Sequence, residues 1–250
     1  NRLVNKYSTF GALTFVLMMC CVSDLRSCYP FMLSCPFILM AMHTLFLIYQ
    51  TDNPENYMMN VGYFIAIASL FYYPSIFLMI WVFISFIIFG YRKLRYLLIP
   101  FVAFMIINFI VIGLFFLIGD FNALIESYLT FFKNMSLSFE LSLINTIFLS
   151  ILTILFFISL LIIFGNRNSD YGSNFRKRVG VSIVLTIISS VIFFMQKPLM
   201  SNLLIFMMFA FFYAIALSDI KKSRIANIMM IVMTLMIIVN RYLPIFGIMI

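Results

Sequence analysis

The sequence has 250 residues, of which 65% are hydrophobic and 10% are charged, and its mean hydropathy is +1.15. This composition excludes a soluble domain, in which apolar residues make up about half of the chain. A formal charge of +8 would suit a nucleic-acid partner, but the basic residues stand in short clusters between apolar runs, an arrangement that sets membrane topology. We therefore expect an all-α, polytopic transmembrane helical bundle and no nucleic-acid partner.

Runs of apolar residues between short polar breaks predict about nine membrane spans. A bilayer core about 30 Å thick needs roughly 20 apolar residues per helix, and several runs are shorter, so we expect the short helices to be packed among others. The predicted spans are 8–22, 30–49, 58–73, 75–89, 97–118, 142–164, 179–195, 199–217 and 225–240. Together they form a single transmembrane domain over residues 1–250.

Nine spans divide the basic residues unevenly between the two sides of the membrane. The side of residue 1 carries Arg2, Lys6, Arg92, Lys93, Arg95, Arg167, Arg176, Lys177, Arg178, Lys221, Lys222 and Arg224. The opposite side carries only Arg26, Lys133, Lys197 and Arg241. Because Lys and Arg accumulate in cytoplasmic loops, we predict that the side of residue 1 is cytoplasmic.

The third and fourth spans are predicted to form a hairpin that turns at Tyr72, Tyr73 and Pro74. In the third span Gly62, Ala66 and Ser69 recur at helical spacing. A stripe of small residues lets a second helix approach closely. We interpret this stripe as a packing surface, with a substrate groove as the alternative.

A helix is also predicted in the longest extracytoplasmic connection, over residues 121–133. Its apolar positions follow the helical period and are Phe121, Leu124, Ile125, Tyr128, Leu129 and Phe132, with polar residues opposite. Such a helix is expected to lie flat in the interface on the extracytoplasmic side of the same membrane. It is expected to pack through this apolar stripe over the spans. On the cytoplasmic side, the basic residues Arg176 to Arg178 abut a span, so anionic lipid headgroups are their expected partners.

Cysteine and histidine usage gives no sign of a metal or a cofactor. The cysteines are Cys20, Cys21, Cys28 and Cys35, and they form no C-x-x-C pair, so we interpret them as structural. The one histidine, His43, falls inside the second span, where a neutral imidazole is expected to hydrogen-bond to a neighbouring helix. A proton-handling role is the alternative.

Three stretches resemble an uncharacterised family of polytopic inner-membrane proteins, a domain of unknown function found in the Bacteroidota. They are NRLVNKYSTFGALTF, NVGYFIAIASLFYYPSIFLMIWVFISFIIFG and RKLRYLLIPFVAF, and the resemblance covers about residues 1–118. It implies a place in the bacterial inner membrane and a longer natural chain, with further spans before residue 1. It implies no role for any residue.

The hairpin sequence GYFIAIASLFYYP is also similar to hairpins of the C-type glycosyltransferases, which use polyprenyl-phosphate sugars and carry an acidic residue in the first outer loop. For that chemistry an acidic residue would serve as base and an arginine would hold phosphate. The outer-face candidates are Asp24 and Glu126 as catalytic residues, and Arg26, Tyr72, Tyr73 and Asp120 as binding residues. The alternative is that these are solvated loop charges and interfacial tyrosines.

Three functions remain open from the sequence. The first is an accessory or structural subunit of a bacterial cell-envelope biogenesis or secretion assembly, with membrane lipids and other envelope proteins as partners. The second is a C-type-like glycosyltransferase that uses a polyprenyl-phosphate lipid at the extracytoplasmic face. The third is a transporter. We favour the first, which is not an enzyme.

Overall fold

A computed structural model describes residues 10–19, 29–49, 51, 53–133, 135, 143–167, 173–195 and 203–219, together with positions 227, 230, 231, 232, 234, 235 and 238. Regular structure in these residues is entirely helical, which confirms the predicted all-α class. The helices are α1 (Phe10–Met19), α2 (Tyr29–Ile48), α3 (Glu55–Phe71), α4 (Leu78–Phe89), α5 (Leu94–Ile118), α6 (Phe121–Lys133), α7 (Leu143–Arg167), α8 (Ser173–Met195) and α9 (Leu204–Asp219). A short 3-10 helix, Tyr73–Phe77, joins α3 to α4.

Four of the described helices are long and apolar enough to cross a membrane, which meets the prediction of about nine spans only in part. These segments are Tyr29–Ile48, Leu94–Ile118, Thr146–Gly165 and Asn174–Met195. The segments Tyr73–Phe89 and Leu204–Leu217 are apolar but shorter, and α1 has only 10 residues. The predicted span 225–240 lies mostly outside the described residues. The other predicted spans that are missing from this set form helices too short to cross a bilayer alone.

The shortness of α9 is explained by its central position. It packs against α1, α7 and α8, and Leu203 to Leu217 are buried apart from the half-buried Phe211. A helix that is apolar on every side is stable when other helices surround it. The expectation that short helices are packed among others is therefore confirmed for α9.

Hydrogen bonds to main-chain carbonyls tie α9 to its neighbours. The Tyr213 hydroxyl donates to the Leu152 carbonyl of α7 at 2.5 Å, and the Thr14 hydroxyl of α1 donates to the Ala210 carbonyl at 3.3 Å. In the same way Trp81 Nε1 of α4 donates to the Val181 carbonyl of α8 at 3.0 Å. Each bond gives a buried polar group a hydrogen-bond acceptor on a neighbouring helix.

The small-residue stripe of α3 is a packing surface, as predicted. Ala66 and Ser69 are buried, and Gly62 faces α5 so closely that an added Cβ would lie 2.8 Å from the Pro100 Cα and 2.9 Å from the Ala103 Cβ. Any side chain larger than hydrogen has no room at position 62, because main-chain atoms of Pro100 are among the neighbours. Pro100 and Ala103 are the buried residues of α5, so α5 is attached to the bundle along a narrow seam.

The predicted helix over 121–133 is present as α6, but it packs through a different edge from the one expected. Its half-buried side chains are Phe121, Leu124, Tyr128 and Phe131. The predicted docking residues Ile125, Leu129 and Phe132 are 40%, 51% and 51% exposed. The reason is that α6 packs through Tyr128 and Phe131 on Tyr73 of the 3-10 helix, which leaves part of its apolar face exposed. Its place in the membrane interface stays a prediction.

Candidate functional site at the basic end

The basic residues of several helices meet at one end of the bundle, which we call the basic end. It comprises the last turn of α2, the start of α3, the turn from α4 into α5 and the first turns of α8. Gly90 makes this geometry possible, since it ends α4 in a left-handed conformation with φ of 97° that favours glycine. The described basic residues here are Arg92, Lys93, Arg95, Arg176, Lys177 and Arg178, against the acidic residue Glu55.

Arg178 is the buried cation of this end, with 7% of its surface exposed. Its Nη2 donates to the Phe46 carbonyl, in the last turn of α2, at 3.4 Å. A cation is favoured near the C-terminus of a helix because the free carbonyls carry partial negative charge. The Arg178 Nε is buried and has no hydrogen-bond partner among the described residues. The α2 carbonyl therefore satisfies only part of this guanidinium.

Lys177 reaches the same turn of α2 through Tyr49. Its Nζ donates to the Tyr49 hydroxyl at 3.4 Å and lies 4.5 Å from the centre of the Tyr49 ring. The ring is held in turn by Phe89, with 5.8 Å between the ring centres. The ammonium thus has a hydroxyl acceptor and the negative face of an aromatic ring, but neither carries a full negative charge.

Tyr91 closes the other side of the α2 terminus. Its hydroxyl donates to the Ile48 carbonyl at 3.3 Å, and its ring meets Tyr96 edge-on with 5.4 Å between centres. Burial raises the pKa of the Tyr91 phenol, and the neighbouring Tyr96 and Tyr49 raise it further. The phenol therefore stays protonated at neutral pH and remains a donor to α2.

The ion pair at the basic end is confined to its surface. Arg95 and Glu55 approach to 2.9 Å, with side chains 76% and 45% exposed. Exposed pairs of this kind contribute little to stability, about 0–1 kcal/mol. Glu55 thus compensates an exposed arginine, while the charge of the buried Arg178 is left without a carboxylate among the residues that the structure describes.

The end of the bundle opposite the basic end, where Tyr73–Phe77 and α6 lie, does not gather the predicted site residues into one described site. Tyr72 is buried and meets Phe31 edge-on with 5.5 Å between ring centres, so it is a packing residue. Asp120 and Glu126 are both exposed, Asp120 just before α6 and Glu126 within its second turn. Asp24 and Arg26 lie outside the described residues.

Tyr73, the second predicted tyrosine, forms an aromatic cluster that attaches α6 to the 3-10 helix. Its ring lies 4.9 Å from that of Tyr128 and 5.7 Å from that of Phe131. Burial raises the pKa of the Tyr128 phenol, with Tyr73 adding to the effect. The tyrosines of the predicted turn therefore hold helices together in this structure.

An apolar crevice of about 260 Å³ opens sideways between α7, α8 and α9. Its wall includes Phe157 and Ile187, which are 63% and 58% exposed. The hydroxyls of Thr153, Thr186 and Ser190 line it too, but each donates to a carbonyl of its own helix. The crevice therefore presents an apolar surface, and its hydroxyl groups are already used within their own helices.

His43 is exposed on α2 and forms no hydrogen bond with the residues that the structure describes. The predicted bond to a neighbouring helix is therefore not made within this part of the chain. Hydropathy assigns a residue to a span without showing which face of the helix it occupies. Cys35 is buried, with its Sγ 3.6 Å from the Met207 Sδ, while Cys20, Cys21 and Cys28 lie outside the described residues.

Sequence reasoning identified the basic residues of α8 but missed Tyr49, Tyr91 and the terminus of α2. No sequence signal could have found them, since they belong to the site only because α2, α4 and α8 meet. Within the described residues, no group of three or more His, Cys, Asp or Glu side chains is placed to hold a metal ion. Comparison with known proteins gave no matching family, no similar curated protein and no similar solved structure.

Proposed function

We propose that the protein is an accessory subunit of a membrane assembly of bacterial cell-envelope biogenesis or secretion, located in the inner membrane. The observation that carries this proposal is the outward-facing imidazole of His43. An ionisable side chain within a membrane helix normally faces other protein or a polar cavity, because exposure to hydrocarbon is costly. A partner helix with a hydrogen-bonding group would satisfy His43.

The surroundings of His43 suit a helix partner. Leu39 and Met40, one turn before it, are 36% and 49% exposed, so the imidazole sits in an apolar stripe that runs along α2. Polar side chains in such stripes join transmembrane helices by hydrogen bonds. The long apolar surface of α5, where Phe109 and Leu117 are 77% and 81% exposed, offers a second face for assembly.

Site-specific photo-cross-linking tests the proposal in cells. A cross-linking residue at Met40 should give one discrete adduct with another membrane protein, whereas the same residue at Leu161 of α7, which is 73% exposed, should give none. His43→Leu should reduce the Met40 adduct severalfold, while His43→Gln, which keeps hydrogen-bonding capacity, should preserve it. Adducts only within the chain, or only with lipid, would contradict a subunit role.

The topology that accompanies this proposal has nine spans with the side of residue 1 in the cytoplasm. Its support is the gathering of basic side chains from two parts of the chain, residues 92–95 and 176–178, at one end of the bundle. In a background without the native cysteines, external labelling should modify a cysteine at Asn134 and spare one at Ser173. The opposite labelling pattern would reverse the orientation.

The apolar crevice favours a second candidate, a C-type-like glycosyltransferase with a polyprenyl-linked donor. A cavity that opens sideways into the bilayer could receive part of an isoprenoid chain. This enzyme would retain polyprenyl phosphate on purification, and Asp24→Asn or Glu126→Gln would abolish transfer in an assembled protein. Absence of the lipid together with full function of both variants would exclude this candidate.

A further inference from the structure

We infer that the last turn of α2 and the first turns of α8 form a binding site for a phosphate group, supplied by the headgroup of an anionic phospholipid. The residues that hold it are Arg178, Lys177 and Tyr49. The inference is independent of the proposed subunit role, because it concerns a lipid and a part of the surface away from His43.

Two cations of α8 are held against the same turn of α2. Arg178 donates to the Phe46 carbonyl, and Lys177 donates to the Tyr49 hydroxyl. Phe46 and Tyr49 are three residues apart and are therefore neighbours on the helix surface. Two positive charges therefore reach one turn of α2, and no carboxylate among the described residues balances either of them. An anion bound at this turn would compensate both charges.

The donors needed for such an anion are present and only partly used. The Arg178 Nε is buried without a hydrogen-bond partner in the described part of the chain, and a guanidinium has five N–H donors in all. The Tyr49 hydroxyl accepts from Lys177 and keeps its own proton for donation. A guanidinium, an ammonium and a phenol are suitable donors for phosphate oxygens.

The depth of the site favours a lipid phosphate. Arg178 is five residues from the start of α8, which is about 7 Å along a helix, so it lies near the end of a helix that is long enough to cross a membrane. That is the level at which headgroups meet the hydrocarbon. Arg176, two residues before it on α8, is exposed and would attract an anionic leaflet.

The test measures lipid selectivity of the full-length chain in nanodiscs. The protein is reconstituted in phosphatidylcholine with and without a minor share of phosphatidylglycerol, and retained lipids are counted by native mass spectrometry. Wild type should retain phosphatidylglycerol about tenfold more tightly than phosphatidylcholine, a preference typical of one or two charge-assisted hydrogen bonds. Arg178→Gln should remove this preference.

Matched variants separate the site from net charge and from folding. Arg92→Gln removes the same charge from the exposed turn at the same end and should leave the preference within about twofold of wild type. If Arg178→Gln fails to assemble, Lys177→Gln and Tyr49→Phe probe the site through half-buried side chains, and each should reduce the preference severalfold. Equal loss in Arg92→Gln and Lys177→Gln would overturn the inference.

Two further arms identify the source of the negative charge. Inorganic phosphate added to the protein in detergent without lipid should raise the thermal unfolding midpoint less than phosphatidylglycerol does. An equal rise with inorganic phosphate alone would overturn the lipid assignment. Asp52 follows α2 in the sequence and lies outside the described residues. If Asp52→Asn created a lipid preference that wild type lacks, the counter-ion would be that carboxylate and the phosphate site would be refuted.

Discussion

In the middle of the bundle, Trp81 and Tyr213 each have one polar hydrogen, and each donates it to a carbonyl of a neighbouring helix, at 3.0 and 2.5 Å. At the basic end, Arg178 donates to one carbonyl at 3.4 Å and has a buried Nε without a partner among the described residues. The first region satisfies its donors within the chain and serves stability. The second has donors and positive charge in excess, which is the condition for binding something else.

The largest effect is expected from Gly62→Val, which would break the packing in the middle. The new side chain would meet the main chain of Pro100 and the Ala103 Cβ. These atoms can move only if the helix backbone shifts, which costs free energy. We expect the free energy of unfolding in detergent to fall by about 3 kcal/mol, the upper range for an overpacked contact.

Gly113→Val is the matched control for this change. Gly113 also lies within a helix, but an added Cβ has no neighbour within 4 Å among the described atoms. The substitution should therefore change the free energy of unfolding by less than about 1 kcal/mol. Similar losses in the two variants would show that the close approach of α3 and α5 does not hold the bundle together.

Tyr213→Phe tests a single hydrogen bond in the same region. It removes the hydroxyl that donates to the Leu152 carbonyl while leaving the ring in place, and we expect a loss of about 1 kcal/mol in the free energy of unfolding. Tyr57→Phe is the control, because the Tyr57 hydroxyl forms no hydrogen bond in the described structure. Equal stability of the two variants would contradict a role for the α7–α9 bond.

Tyr128→Ala tests the packing at the end of the bundle opposite the basic end, where α6 is attached by aromatic contacts. Loss of its contact with the Tyr73 ring should weaken the docking of α6 by about 0.5–1.5 kcal/mol beyond the area lost. Hydrogen exchange should then become faster in α6 and remain unchanged in α3. Phe132→Ala, at a residue that is 51% exposed, should have the smaller effect, and the reverse order would place the docking edge elsewhere.

The smallest effect is expected from Glu126→Gln. The side chain is exposed on α6, and substitutions at such positions usually stay within about 0.5 kcal/mol. For a subunit, both abundance and function in a complementation assay should remain near wild type. Loss of function at normal abundance would instead support the glycosyltransferase candidate.

The sequence predicted helices better than it predicted their surroundings. Residues 121–133 and the stripe at Gly62 were recognisable because helical periodicity and small side chains are local signals. By contrast, the exposure of His43 and of Leu129 depends on which neighbour covers each face. Hydropathy is blind to that choice, since an apolar residue suits both lipid and a helix interface.

The basic end shows the same limit at a functional site. The run from Arg176 to Arg178 is visible in the sequence, but its spacing does not show that Arg178 is buried or that Tyr49 lies beside Lys177. Tyr49 and Lys177 are 128 residues apart in the chain. They become neighbours only because the fold brings the start of α8 within side-chain reach of the end of α2, so the site could not be assembled from local patterns.

The comparison between the two regions is tested most directly by thermal unfolding of Trp81→Phe and Lys177→Gln in two kinds of nanodisc. Trp81→Phe should lower the unfolding midpoint by the same amount in phosphatidylcholine and in phosphatidylglycerol, because its bond to the Val181 carbonyl is complete within the chain. Lys177→Gln should lower the midpoint more in phosphatidylglycerol than in phosphatidylcholine, where only its contacts with Tyr49 are lost. Equal effects of the two lipids on Lys177→Gln would contradict the account that the basic end is a binding surface.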